Sequence, residues 1–378
     1  MNIVELGQIS SMKYGKMLSK DLAVDEGFPV YSGYRITGYS KEYLYNDPML
    51  IVVARGVGGT GDVKISPPNA WITNLSIVLE LDDSKVDKRY LCYLLNRENL
   101  KDKLNSGAAQ AQITIDSLAK YRIRLPQIKQ QKRTAEFIAK YDDLIENNRR
   151  RIQLLDESAR LLYQEWFVHL RFPGHEQVKI TDGVPEGWEP TLVPDVIDVN
   201  PRTPVEKGKE IWYVPMSSLS ETSMTANTAD FERRTKHTNV KFKKNDVLLA
   251  RITPCLENGK TGYAYFLAED EVACGSTEFI VLRGKRVPSE FVYCLARSYP
   301  FRENAIKSMT GSSGRQRVQN SCFDKYAVPL PPNSILDEFV QIVQNNFEQI
   351  RNLMAQNARL AKARDLLLPK LMSGELTV

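Results

Sequence analysis

Two patterns of apolar and polar positions alternate along the chain. Across residues 1–126 and about 185–331, short apolar runs such as MLIVVAR (49–55), SIVLEL (76–81), DVLLAR (246–251) and TEFIVL (277–282) are parted by polar, turn-forming stretches. That pattern predicts short β-strands. One short amphipathic helix is predicted near the end of each region, around 87–104 and 288–306. Across about 127–168 and 334–372 glycine is absent and the only proline is Pro369, so each stretch is predicted as one long helix. The fold class is α+β: a strand-rich domain at 1–126, a helix at 127–170, a second domain at 171–332 with a leading linker at 171–184, and a helix at 333–378.

The long stretches carry heptad seams. Apolar residues recur at spacings of four and three from Thr134 to Trp166, and again 205 positions later from Phe339 to Leu371. Antiparallel pairing is expected from the residues themselves. It sets Asn148 against Asn357, Trp166 against Phe339, and Tyr141 against Arg364 as a cation–π pair. Ala159 opposite Asn346 is its weakest match. Such a pair, ~63 Å long at ~1.5 Å per residue, acts as a spacer. The alternative is two helices packed separately, each on its own domain.

The strand-rich domains repeat one another. KYRIRLP (120–126) returns as KYAVPLP (325–331), and Ile77-Val78-Leu79 returns as Ile280-Val281-Leu282. Ala54-Arg55 resembles Ala250-Arg251 in context. The period is far too long for a solenoid. Two related domains on an antiparallel spacer imply an approximate two-fold axis, which matches the symmetry of duplex DNA.

Charge and chemistry narrow the picture. Lys and Arg number 51 against 46 Asp and Glu, a net +5, which admits a polyanionic partner without requiring one. Five cysteines, never as C-x-x-C, and three scattered histidines build no zinc spacing and read as reduced thiols. The N-terminus lacks a signal-peptide pattern, and no apolar run reaches the roughly 18 residues of a membrane span. A cytoplasmic protein without a membrane partner is expected. GVGGTG (56–61) fits G-x-G-x-x-G, yet DVKISPP follows where a dinucleotide site needs a helix. The expectation is a hairpin with Arg55 at its base. The sequence has no phosphate loop, and SPPN (66–69) and LPPN (330–333) lack the residues an adenine methyltransferase motif needs. Asp195, Asp198 and Glu206 read as solvated loop charges rather than metal ligands.

PEGW (185–188), together with SGAAQAQ (106–112) and GSSGRQ (311–316), forms an ordered set. The latter two segments each precede a closing strand, Leu-Pro and a heptad helix. This set resembles the specificity subunit of Type I restriction–modification systems, and the resemblance covers the whole chain. The first half departs from it by starting abruptly at VELG (4–7) without Gly-Trp, which puts its opening strand in question. The resemblance implies two target-recognition domains joined by two long helices in an antiparallel coiled coil with pseudo-two-fold symmetry. It implies a non-catalytic subunit that reads a bipartite, asymmetric sequence in double-stranded DNA. Two methyltransferase subunits would dock on the helices, and restriction/translocase subunits would join them. The subunit itself would bind no cofactor or metal, while such complexes use S-adenosylmethionine, ATP and Mg. A self-contained methyltransferase/endonuclease fusion is the competing reading, and the missing cofactor and metal motifs weigh against it.

Contact with phosphates and base edges calls for Lys, Arg, amide and hydroxyl side chains on loops. The candidates in the first domain are Lys13, Tyr14, Lys16, Ser32, Tyr34, Arg35, Arg55, Gly58, Thr60, Asn74, Gln110 and Gln112. In the second they are Arg202, Thr203, Ser217, Arg251, Thr253, Asn258, Lys260, Thr277, Ser312, Ser313, Arg315 and Gln316. An apolar excess near the helix ends singles out Leu161, Trp166, Phe167, Leu368 and Leu371 for subunit docking.

Overall fold

The computed structural model describes residues 2–33, 35–56, 59–106, 111–237 and 239–378. The chain divides into two units, Met1–Ile145 with Arg359–Val378, and Glu146–Ala358. Each unit therefore takes part of each long helix.

In the first unit Asn2–Glu5 pairs antiparallel with Arg122–Leu125, so the abrupt start of the chain does supply the opening strand. A four-stranded antiparallel sheet runs in the order Ser10–Tyr14, Ser76–Leu81, Leu50–Val53, Val63–Ile65. A second sheet of four runs Ala23–Val24, Arg35–Ser40, Phe28–Ser32, Trp71–Ile72, with its last pair parallel. Strand side chains alternate between faces. Leu50 and Val52 join Ile77, Leu79 and Tyr90 in one core, while Ile51 joins Val78, Tyr31 and Ile72 in another. Cover on both faces is why the run LIVV does not alternate with polar residues.

The second unit repeats the plan. Glu189–Leu192 pairs with Ala327–Leu330. One sheet runs Ile197–Val199, Phe279–Gly284, Val247–Ala250, Thr261–Tyr263, and the other runs Glu232–Arg234, Ile211–Val214, Val272–Gly275, Val240–Lys243. Val247 and Leu249 face one core, and Leu248 with Val281 the other.

Each predicted amphipathic helix is broken into two. Asn99 adopts a left-handed conformation (φ +46°) between Lys88–Arg97 and Leu100–Leu104. Ser298 is extended between Ser289–Arg297 and Tyr299–Lys307, whose first turn holds Pro300.

The long helices are Ile128–Tyr163, followed by a π-helical turn Gln164–Val168, and Asn333–Ser373. They run antiparallel within each unit. In the second, Asn148 Nδ2 donates to Asn357 Oδ1 at 2.9 Å and Gln356 Oε1 at 3.1 Å, and the rings of Trp166 and Phe339 lie 6.0 Å apart. Asn346, the weak point of the expected register, donates to Leu155 O at 3.4 Å. In the first unit Arg364 does not stack on Tyr141. Its Nη1 donates to Asp142 Oδ1 at 2.6 Å, because a carboxylate holds a guanidinium more strongly than a ring face does. Among the described residues no helix is long and apolar enough to cross a membrane.

Candidate nucleic-acid interface

Strand ends distant in sequence assemble the candidate surface. In the first unit, Ala54 N–H donates to Leu75 O and Ile113 N–H to Ala54 O, both at 2.8 Å. Lys16 N–H donates to Ile72 O and Thr73 N–H to Tyr31 O, both at 3.0 Å. Thr73 Oγ1 also donates to Ser32 Oγ at 3.1 Å. These bonds bring Tyr14, Lys16, Ser32, Arg35, Arg55, Asn74 and Gln112 to one end of the two sheets, with Lys16, Arg35 and Arg55 exposed. Two expected members do not join them. Lys13 lies on the sheet face, its Nζ 2.5 Å from Glu80 Oε1; that hydrogen bond raises the lysine pKa and lowers the carboxyl's, so its charge is satisfied locally. Thr60 is buried and turned inward. Tyr34, Gly58 and Gln110 lie outside the described residues.

The equivalent end of the second unit is built the same way. Arg251 N–H donates to Glu278 O and accepts at its own carbonyl from Val318 N–H, both at 2.9 Å. Thr253 N–H donates to Gln316 O at 3.1 Å, and Gln316 N–H returns a bond to Thr253 Oγ1 at 3.0 Å. Ser276 N–H donates to Val214 O at 3.1 Å, and Lys260 Nζ to Met216 O at 3.4 Å. Ser217, Arg251, Thr253, Asn258, Lys260, Thr277, Arg315 and Gln316 gather here, and the exposed Ser312 and Ser313 belong to the same loop as Arg315. Arg202 and Thr203 do not. Thr203 Oγ1 accepts from Arg283 Nη2 at 3.0 Å, and Arg283 pairs with Asp246 at 2.7 Å. Asp246 immediately precedes the strand Val247–Ala250 and Arg251 immediately follows it, so this pair of candidates belongs to the other end, ~17 Å away at ~3.3 Å per residue.

Residues 1–157 and 185–361 each match the family described as Type I restriction modification DNA specificity domain. The chain belongs to this family. It is 25% identical over 326 residues to the Type I restriction enzyme MjaIX specificity subunit of Methanocaldococcus jannaschii, covering 82% of this chain and 74% of that protein. It is 19% identical over 409 residues to the MjaVIII specificity subunit of the same organism, covering 100% and 93%. The S subunit of a Type I restriction–modification system from M. genitalium shares the fold, with a TM-score of 0.59 at 16% identity over 98% of this chain and 95% of that one. The chain is a Type I specificity subunit with two target-recognition domains.

Two anchors that the sequence reading missed fasten neighbouring loops and the helix Ser289–Arg297 to this subunit's first long helix. In the first unit Gln131 is fully buried; its Oε1 accepts from Asp87 N–H at 3.0 Å, and its Nε2 donates to Lys85 O at 3.0 Å and Pro126 O at 2.9 Å. In the second, fully buried Asp156 accepts from Met224 N–H at 2.9 Å, Tyr293 O–H at 2.7 Å and Arg160 Nε at 2.9 Å. The signal was present as a polar residue inside an apolar stripe.

The apolar excess on the long helices is mostly consumed internally. Trp166 and Phe167 are buried among Phe339, Phe291 and Trp188, and Leu371 is buried too, so these three offer no docking surface. Leu368 is half-buried against the first unit's core. Leu161 remains outward at 52% exposure, with Leu154 one heptad earlier at 65%.

Proposed function

We propose that each unit reads one half of a bipartite, asymmetric DNA target through the loops at the end of its two sheets, while partner subunits perform methyl transfer and cleavage. One observation carries this reading. The same backbone stitching, around Ala54 and around Arg251, one position out from the expected match of Arg55 with Arg251, holds candidate polar side chains at the same sheet end in both units, on loops of unlike sequence. Unlike loops on equivalent scaffolds read unlike half-sites. The repeat in the sequence leads us to expect half-sites read on opposite strands, with centres about one turn, ~10 bp, apart. Lys16, Arg35 and Arg55 supply phosphate contacts in the first unit. Methyltransferase subunits dock on the outward stripe of the long helices that includes Leu154 and Leu161, and restriction/translocase subunits join them. The chain itself holds no cofactor; S-adenosylmethionine, ATP and Mg serve the partners. Action on DNA fits a cytoplasmic protein.

Mapping methylated adenines genome-wide in a host carrying the complex tests the reading. The expected result is two short, unlike base runs separated by an unread spacer, with methylated adenines on opposite strands. One contiguous motif, or methyl transfer by the purified chain alone, overturns it.

A further inference from the structure

The turn 251–260 joins the central strand Val247–Ala250 of the second unit to Thr261–Tyr263. In the second unit, two arginines from the helix pair behind the sheet grip the backbone of the turn. Arg302 Nη2 donates to Glu257 O at 2.7 Å and Leu256 O at 3.1 Å. Arg297, only 8% exposed, donates through Nη1 to Glu221 O at 3.1 Å and also to Gly259 O. One guanidinium thus ties the 221 segment to the turn, and the other ties the turn to the helix behind it. Leu256 is fully buried, while Glu257 and Asn258 face outward, Asn258 Nδ2 donating to Glu221 Oε1 at 3.3 Å.

This arrangement is costly. The Nε of each arginine is buried without a partner. Burial first, then the charges of Arg297 and Arg160, push the Arg302 guanidinium below its usual pKa. Apolar side chains of similar volume would pack here without those penalties. In the first unit a neutral residue, Asn96, bonds the strand that follows the corresponding segment: it accepts from Val63 N–H at 3.1 Å and donates to Val63 O at 2.8 Å.

We propose that Arg297 and Arg302 are positioning residues for base recognition, fixing the turn 256–259 so that Glu257 and Asn258 meet base edges in the half-site read by the second unit. An asparagine amide matches the donor–acceptor pair of adenine, and a carboxylate accepts from the cytosine amino group. The proposal rests on the sheet-end reading above.

The test uses the complex in its host, with the chain carrying Arg302→Gln, Arg297→Lys, Gly259→Ala or Asn258→Ala, and methylated adenines mapped genome-wide. Gly259→Ala strains the same turn while leaving both arginines in the chain, because φ is +83° and a Cβ would stand 3.3 Å from Glu221 O, 3.4 Å from Arg297 Nη1 and 3.5 Å from Arg302 Cζ. The expected result is about a tenfold loss of discrimination at one or two base pairs of a single half-site, the same base pairs in every variant, with the other half-site intact. An unchanged motif in the variants overturns the proposal. So does equal loosening of both half-sites, and so does abolished methylation in the arginine variants with an unaltered motif in Gly259→Ala and Asn258→Ala. A wild-type motif that is not bipartite rejects the sheet-end reading itself. A bipartite motif indifferent to all four changes rejects only the positioning role.

Discussion

The first unit fastens neighbouring loops to the long helix with a neutral amide, Gln131, whereas the second fastens a loop and a helix to it with a carboxylate, Asp156. Each group is fully buried and each makes three hydrogen bonds, yet their energetics differ. An amide satisfied by backbone groups loses little more than its bonds when removed. A buried carboxylate shared by a guanidinium, a hydroxyl and a backbone amide leaves all three short of an acceptor when it is removed, two of them in the interior. The two units share the strand order of the sheet that carries the central strand, and they anchor to the long helix through different chemistry.

Asp156→Ala should produce the largest effect on stability, a loss of about 3–5 kcal/mol in the second unit, because Arg160, Tyr293 O–H and Met224 N–H lose their shared acceptor. Urea unfolding read by hydrogen exchange on second-unit peptides measures it, and a loss below about 1 kcal/mol would break the contrast. Gln131→Ala should cost less, about 1–3 kcal/mol, and only in first-unit peptides. A larger cost than Asp156→Ala would reverse the comparison. Gly61→Ala sharpens the contrast between the hairpins. With φ at +93° and a Cβ 2.6 Å from Lys101 N, it should cost about 1–2 kcal/mol in the first unit. The smallest effect is expected from Lys13→Ala, below about 1 kcal/mol, because its ion pair with Glu80 is exposed. Its salt dependence of DNA binding by the complex should match wild type, whereas Lys16→Ala and Arg55→Ala should each reduce the slope by about one. Equal slopes in all three would remove the distinction between sheet face and sheet end.

What could be read from the sequence followed the range of the interactions. Heptad periodicity is local, and the amides Asn148 and Asn357 mark their own register, so the antiparallel pairing of the long helices could be read directly. The repeat located corresponding strands because strand sequence reflects burial on both faces. Chemistry at single positions was harder to read. Arg364 had Tyr141 and Asp142 within one residue of each other, and only geometry shows that the carboxylate wins. Trp166 and Phe167 looked surplus to one seam because the aromatic cluster that covers them comes from Phe291 and Trp188, far along the chain. The grouping at the sheet end depends on strand order. Lys16 reaches Ile72 only because Ser10–Tyr14 pairs with Ser76–Leu81. By the same rule Arg202 and Thr203 went to the far end of a strand that the sequence could not orient. Arg297, in the run SEFVYCLAR, was visible as the one basic residue of a helix buried nearly all round, and that was the signal to follow.

The central claim is that each unit reads its own half-site. A hybrid chain in which residues 185–331 are replaced by the corresponding segment of a homologous subunit tests it most directly, with methylated bases mapped in the same host. The account predicts that one half of the motif changes while the other half keeps its bases. A motif altered in both halves, or in neither, would contradict it.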